Sequence, residues 1–381
     1  MKNFTIKPLS PTTHYPLPTT SSTKVILVRH ARTTYNEQQR YQGNSDESVL
    51  TAKGYQDAYA TGLALKEYNF DAVYTSPLKR VRQTTQEIIT ALGKNNAPLV
   101  YNDRLLTEIC MSHWQGLYYQ EVKEKFAEAY RCWQNTPHLF SINNTYPVLE
   151  LFENAKLFWQ QVLSKHQGQT ILIVAHGGTN RALISTAVGL KPENYHSLQQ
   201  SNCGISCLEF SSKNNAKIKY LNATNHLGET LPKLKAGKTG WRWLLLSETN
   251  AKSISDRLLF DIFGSGKIDL LLTEHSIPES FAQKLATKYR IPHLPLAENH
   301  FFNWQQTIID QQKLLIERSH LSTALIIASD KLITRILKKT FQINISHTQD
   351  ILVVIHYPQS KKHPILQGIL PLTSNAIALT K

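Results

Sequence analysis

The chain has 381 residues, 41% hydrophobic and 18% charged, with 42 Lys and Arg against 28 Asp and Glu for a formal net charge of +14. This length fits two domains, and no apolar run approaches the roughly 18 residues of a membrane span, so a soluble globular protein is expected. A basic balance suits anionic small substrates, while the absence of a Lys/Arg block, zinc-finger spacing or an aromatic-rich basic repeat argues against nucleic acid; dispersed surface lysine is the plainer reading of much of the charge.

Residues 1–23 are rich in Ser, Thr and Pro, hold no acidic residue and lack the apolar core of a secretory signal. They read as a disordered leader, although a plastid or mitochondrial transit peptide would share this composition. Val25-Ile26-Leu27-Val28 then reads as a central strand of a parallel sheet, followed by a polar loop with Asn36, Gln42, Gly43 and Asp46. A helix is expected from Thr51 through the stretch Tyr55–Tyr68, and a second strand near 71–75. Pro77 suits the first turn of a helix running through Arg80, Gln83 and Ile89. Leu99-Val100-Tyr101 is a further short strand, and 118–134 and 149–166 have helical spacing that fits core or cap packing. Strand 171–175 ends in His176-Gly177-Gly178, with a helix following, and Ile205–Phe210 alternates like a strand with one partly exposed face. From 24 to 230 this βα alternation predicts an α/β fold: a doubly wound, mainly parallel sheet with helices on both faces.

Residues 231–240 read as a linker. Gly237-Lys238-Thr239 matches the end of a phosphate-binding P-loop, but Pro232 stands where its upstream glycine belongs and no helical pattern follows. From 241 to 381 the pattern restarts. Ile268–Thr273 echoes Phe70–Thr75, and Thr323–Ala328 echoes Thr170–Ala175, which predicts a duplicated, smaller α/β domain of related fold. In that alignment Arg29 and His30 become Ser247 and Glu248, Arg80 becomes Pro278 and His176 becomes Ser329, so the second copy is expected to be catalytically silent. The four cysteines form neither a disulfide framework nor a zinc pattern, and the reducing cytoplasm is the expected location.

Three strand ends carry the chemistry. Arg29 and His30 follow the first strand, Ser76-Pro77-Leu78-Lys79-Arg80 the second, and His176 the strand 171–175. Carboxyl ends of strands are where open α/β sheets bind ligands. A phosphoryl group in transfer spreads charge over three oxygens, which arginine forks clamp well. A neutral imidazole can attack phosphorus, and glycines such as Gly177 allow close backbone approach. Such a site needs neither metal nor cofactor.

Leu27–Asn36, with Arg29-His30-Ala31-Arg32-Thr33 at its centre, resembles the signature of the histidine phosphatase superfamily, which includes the cofactor-dependent phosphoglycerate mutases. Ser76–Arg80 with Gln83-Thr84, Leu106-Thr107-Glu108-Ile109 with Trp114-Gln115-Gly116-Leu117, Ala175–Gly178 and Leu221–Leu227 are similar to its later motifs, in order, over roughly 24–230. The resemblance implies that His30 is the phosphorylated nucleophile, that Arg29, Arg80 and His176 hold the phosphoryl oxygens, and that Glu108 is general acid and then base. Asn36 and the Gln42-Gly43 loop would line the pocket. Two departures stand out: Ala31 replaces the usual glycine, and Ile109-Cys110 replaces a common Phe-Gly. The short stretch between Glu108 and His176 favours a phosphatase of small phosphorylated metabolites over a mutase, which carries a longer insertion there. A binding module that holds phosphate without turnover is the alternative outside enzymes. One complete and one degenerate copy is similar to tandem members of the family. The second copy is expected to cover one face of the first or to mediate homodimerisation.

Overall fold

The computed structural model describes residues 22–93, 98–211, 216–253, 268–314, 320–345, 350–359 and 363–372. The expected leader lies outside them apart from its last two residues, and Thr23 already belongs to the first strand.

The chain runs β1 (Thr23–Arg29), α1 (Thr34–Glu37), α2 (Ala52–Ala64), β2 (Ala72–Thr75), α3 (Lys79–Leu92), β3 (Leu99–Asn102), α4 (Tyr119–Lys125), α5 (Ala127–Asn135), α6 (Pro147–Lys165), β4 (Thr170–Ala175), α7 (Gly177–Val188), β5 (Ile205–Phe210) and β6 (Ala216–Ala223). It continues through β7 (Gly240–Ser247), α8 (Glu248–Ser253), β8 (Leu270–Glu274), α9 (Glu279–Tyr289), β9 (His293–Leu296), α10 (Glu298–Leu314), β10 (Leu321–Ala328), α11 (Asp330–Phe341), β11 (Ile351–Tyr357) and β12 (Ile365–Pro371).

All these strands join one 12-stranded sheet in the order β3-β2-β4-β1-β5-β6-β12-β11-β7-β10-β8-β9. Read inward from either edge, the order is the same. β1 is parallel to β4 and antiparallel to β5, as β7 is to β10 and β11. The register repeats too: Arg29 sits opposite Ala175, and Ser247 opposite Ala328. The halves meet where Leu221 of β6 pairs with Ile369 of β12. A shared sheet edge needs only backbone groups, so periodicity in the sequence carries no sign of it.

Successive strand residues point to opposite faces, and the sheet is covered on both. Val25, Leu27, Ile171 and Ile173 belong to one core with Phe152 and Phe158 of α6 and Leu183 of α7. Ile26, Val28, Leu172 and Val174 belong to the other, with Val81 and Ile88 of α3. Both cores continue under the second half, through Trp243 and Ile326 on one face and Leu244 and Leu325 on the other.

Several local expectations change. Pro77 precedes α3 rather than forming its first turn, with Leu78 as N-cap. The expected helix 118–134 breaks at Phe126 (φ −126, ψ 43) into α4 and α5. The helix after Thr51 ends at Ala64, short of Tyr68. Strand β5 is buried at every position but Glu209, because both its faces are covered: Leu208 and Phe210 belong to one core, Ile205 and Cys207 to the other.

Candidate active site

The carboxyl ends of β1 and β4 and the start of α3 converge below a cavity of about 1110 Å³. Arg29, His30, Asn36, Arg80, Glu108 and Gly177 all line it. His176 lies fully buried behind that lining, its ring 5.4 Å from that of His30.

His30 is fixed from all sides. Its backbone N–H donates to Ala175 O at 2.9 Å, and Asn202 Nδ2 donates to His30 O at 3.0 Å and to Asn36 Oδ1 at 2.9 Å. Nδ1 lies 2.8 Å from Ala31 O. A carbonyl can only accept, so Nδ1 carries the proton and Nε2 keeps its lone pair. Burial first, then the charges of Arg29 and Arg80, holds the pKa of His30 well below its usual value. The imidazole is therefore neutral at neutral pH, the form that can attack phosphorus. Ala31 packs without exposure against Leu50, Ala58 and Cys203, which accounts for an alanine where glycine was expected.

Arg80 is buried, and its two terminal nitrogens donate to the carbonyls of Ser45 (2.6 Å) and Gly43 (2.7 Å). Gly43 has φ +52, and a Cβ there would fall 2.3 Å from Gln115 Oε1, so the loop under Arg80 requires glycine. Arg29 Nη1 donates to Gln200 O at 2.9 Å. His176 Nε2 lies 2.8 Å from Ser76 Oγ. Burial, then the Arg80 charge, lowers its pKa well below the ordinary value. Among the described residues, Nε of Arg29, Nε of Arg80 and Nδ1 of His176 are buried without a hydrogen-bond partner. Buried polar groups are nearly always paired, so three such nitrogens around one imidazole mark a place built for an anion.

Glu108 closes the far side. Its Oε2 accepts from Gly178 N–H at 2.9 Å, and its Oε1 from Thr179 N–H at 3.1 Å and Ile109 N–H at 2.9 Å. These oxygens satisfy orphan N–H groups in the first turn of α7. A Cβ at Gly178 would lie 2.3 Å from Glu108 Oε1 and 2.4 Å from Tyr195 Oη, so this glycine makes room for the carboxylate.

Other residues line the cavity without having been singled out from sequence. Gln200, Asn202 and Lys235 come from irregular stretches after α7 and β6, and Tyr119, Tyr130 and Trp133 from the cap formed by α4 and α5. Arg32 and Arg181 also face it, whereas Arg82 is exposed on α3. Among the described residues no group of three or more His, Cys, Asp or Glu could hold a metal ion, and no helix is long and apolar enough to cross a membrane.

The family model of the histidine phosphatase superfamily (branch 1) matches residues 25–224. The chain belongs to that superfamily. It is 44% identical over 187 residues to a probable 2-carboxy-D-arabinitol-1-phosphatase of Arabidopsis thaliana, covering 49% of this chain and 38% of the relative. It is 32% identical over 206 residues to phosphoserine phosphatase 1 of Hydrogenobacter thermophilus, covering 54% of this chain and 95% of that one. Among solved structures, a phosphoserine phosphatase of Entamoeba histolytica in complex with 3-phosphoglyceric acid is 28% identical, with a TM-score of 0.47, over 54% of this chain and 99% of that one. The chain spans 38% of the length of that Arabidopsis relative and 39% of the length of a 2-carboxy-D-arabinitol-1-phosphatase of Triticum aestivum. The match to this histidine phosphatase family ends before Lys235, so that lysine lies outside it.

Proposed function

We propose that the chain is a phosphatase of small phosphorylated metabolites that works through a phosphohistidine on His30. The observation that carries this reading is the neutral, Nδ1-protonated His30, surrounded by three buried nitrogens without protein partners. In the first step Nε2 of His30 attacks phosphorus, the P–O ester bond breaks, and Glu108, which enters the step protonated, gives that proton to the leaving alkoxide. In the second, Glu108 takes a proton from water, whose oxygen bonds to phosphorus as the N–P bond breaks. Arg29, Arg80 and His176 hold the phosphoryl oxygens throughout, and Asn36 and Gly177 shape their surroundings. Positioning and fixed positive charge supply most of the acceleration in such transfers. The four free cysteines accord with a reducing, cytoplasmic setting.

We infer further that the second half is a diverged repeat of the first without catalytic capacity. Its repeated strand order and register support this, and so do Ser247, Glu248 and Ser329 where the first half has Arg29, His30 and His176; Pro278, expected opposite Arg80, is the N-cap of α9 as Leu78 is of α3, so Ser280 takes the place of Arg80.

The test compares the protein with His30→Ala on small phosphoesters in excess chelator, following free phosphate together with interconversion of 2- and 3-phosphoglycerate. The expected result is chelator-resistant phosphate release that falls by on the order of 10⁴-fold or more without His30. Interconversion without phosphate release would mean a mutase. Undiminished release by His30→Ala would remove the nucleophile assignment.

A further inference from the structure

We propose that Lys235, on the connection between the two halves, forms with Arg32 and Arg181 a second anion subsite in the cavity, so that the substrate is a phosphomonoester bearing a further anionic group, either a carboxylate or a second phosphate. This rests on the phosphatase reading above.

Lys235 Nζ donates to Gln200 O at 3.0 Å, and Arg29 Nη1 donates to the same oxygen at 2.9 Å. Two basic side chains thus donate to one neutral carbonyl. The lysine is exposed as a residue, yet its ammonium reaches inward to a crowded region where protein atoms, Arg29 and Arg181 all push its pKa down. Arg181 is held rigidly, with Nε donating to Leu198 O at 2.8 Å and its guanidinium over the Tyr195 ring at 5.5 Å.

Charge accounting points the same way. Among the described residues, the ion pairs include none of Arg29, Arg32, Arg80, Arg181 or Lys235. Glu229, the carboxylate whose charge bears on Lys235, is bridged to Lys233 at 2.7 Å, and Glu108 is occupied by the N-terminus of α7. A phosphomonoester brings about two negative charges at pH 7. Arg29 and Arg80 match those. The rest of the lining keeps an excess of positive charge, Arg32, Arg40, Lys123, Arg131, Arg181 and Lys235 against Glu37, and of these the charges of Arg32 and Arg181 bear directly on Lys235. Like charges gathered in such excess repel, and such a cluster in a cleft is what an anionic ligand requires.

The connection is held at both ends by the second half. Gln367 Nε2 donates to Pro232 O at 3.4 Å, and His356 Nε2 lies 3.0 Å from Thr239 O. Gln199 Nε2 adds a bond to Lys233 O at 3.0 Å. The second half therefore places Lys235 at the mouth of a site to which it contributes no catalytic group.

The experiment measures kcat and KM of wild type, Lys235→Met and Lys235→Arg on glycerol 3-phosphate, 3-phosphoglycerate and 1,3-propanediol bisphosphate. Wild type should favour at least one of the two anionic compounds over glycerol 3-phosphate by about tenfold or more. Lys235→Met should reduce that preference about tenfold, mainly through KM, and Lys235→Arg should restore most of it. Which compound is favoured identifies the carboxylate or the phosphate. Equal losses on all three compounds, or no preference in wild type, would overturn the subsite. Calorimetric binding of the three compounds to His30→Ala, alone and combined with Lys235→Met, reads the subsite without turnover. If wild type hydrolyses none of them yet binding shows the lysine-dependent preference, the phosphatase reading falls and the subsite stands.

Discussion

At the carboxyl end of β4, His176 begins α7 without capping it, and its Nε2 lies 2.8 Å from Ser76 Oγ. At the equivalent end of β10, Ser329 begins α11 with its Oγ accepting from Leu332 N–H at 3.2 Å, while its own N–H donates to Glu274 Oε2 at 2.6 Å. Counting back along the parallel register, Ser76 corresponds to Glu274 and His176 to Ser329. The second half thus satisfies its helix terminus with local polar groups, as a stable fold does. The first half has at the same position a histidine with a buried nitrogen that lacks a partner, and it brings Glu108 from the loop after β3 to meet the helix. Gly177 and Gly178, which keep that corner open, correspond to Asp330 and Lys331. The same backbone thus carries a locally unsatisfied strand end in one half and a satisfied one in the other, and of these two ends among the described residues the former keeps a nitrogen without a partner.

The sharpest way to break this comparison is to neutralise the two carboxylates separately. Glu108→Gln removes the group assigned to move protons and should lower kcat by about 10²–10⁴-fold. Glu274→Gln, at a helix end of the same design, should leave kcat as it is, because its oxygen serves only Ser329. Steady-state assays of both variants decide it, and equal rate losses would mean that the halves do not differ in the way described.

The legible part of this design was the part carried by strand ends. Val25–Val28 running into Arg29-His30, and Ile171–Ala175 into His176, place side chains at a sheet edge by periodicity alone. Glu108 has no such signal, since it sits between short helical turns, and only likeness to a family singled it out. Lys235 was read as linker because a lysine flanked by Pro232 and Gly237 has the pattern of a solvated loop; its role depends on where Gln367 and His356 pull the backbone. Gln200 and Asn202 act from loops whose sequence shows no period. The continuity of the sheet across β6 and β12 was equally silent, since an edge pairing between backbones leaves no side-chain code.

Acid titration sharpens the comparison next. The first half buries His30 and His176 with pKa values well below ordinary, mainly through desolvation; the second has Glu248 and Ser329 in their places. An unfolded histidine titrates near 6.5. Between that value and the depressed folded value the unfolded chain binds more protons, so stability is fully present above about pH 6.5 and falls as the pH drops through the window. Each histidine contributes a slope of about 1.4 kcal/mol per pH unit there. Denaturant unfolding of wild type and His30→Ala at several pH values should show a shallower acid loss in the variant, and parallel curves would contradict a neutral buried His30. With His30 already neutral, the acid limb of kcat/KM assigned to it under the proposed mechanism should also lie well below pH 6.5.

The smallest expected effect concerns the second half, which is proposed to do no chemistry. Ser329 Oγ satisfies one orphan N–H of α11, so Ser329→Ala should destabilise the protein by about 1 kcal/mol. It should do so without lowering kcat on a phosphoester, because the residue faces no part of the cavity. Thermal unfolding and steady-state rates on the same preparation separate the two readouts. A fall in kcat alongside the loss of stability would mean that the helix end of the second half is coupled to the site through β7 and the connection that carries Lys235. Stability that falls alone would confine the second half to positioning that connection, since α11 would then be anchored for the sake of the sheet rather than for a ligand of its own.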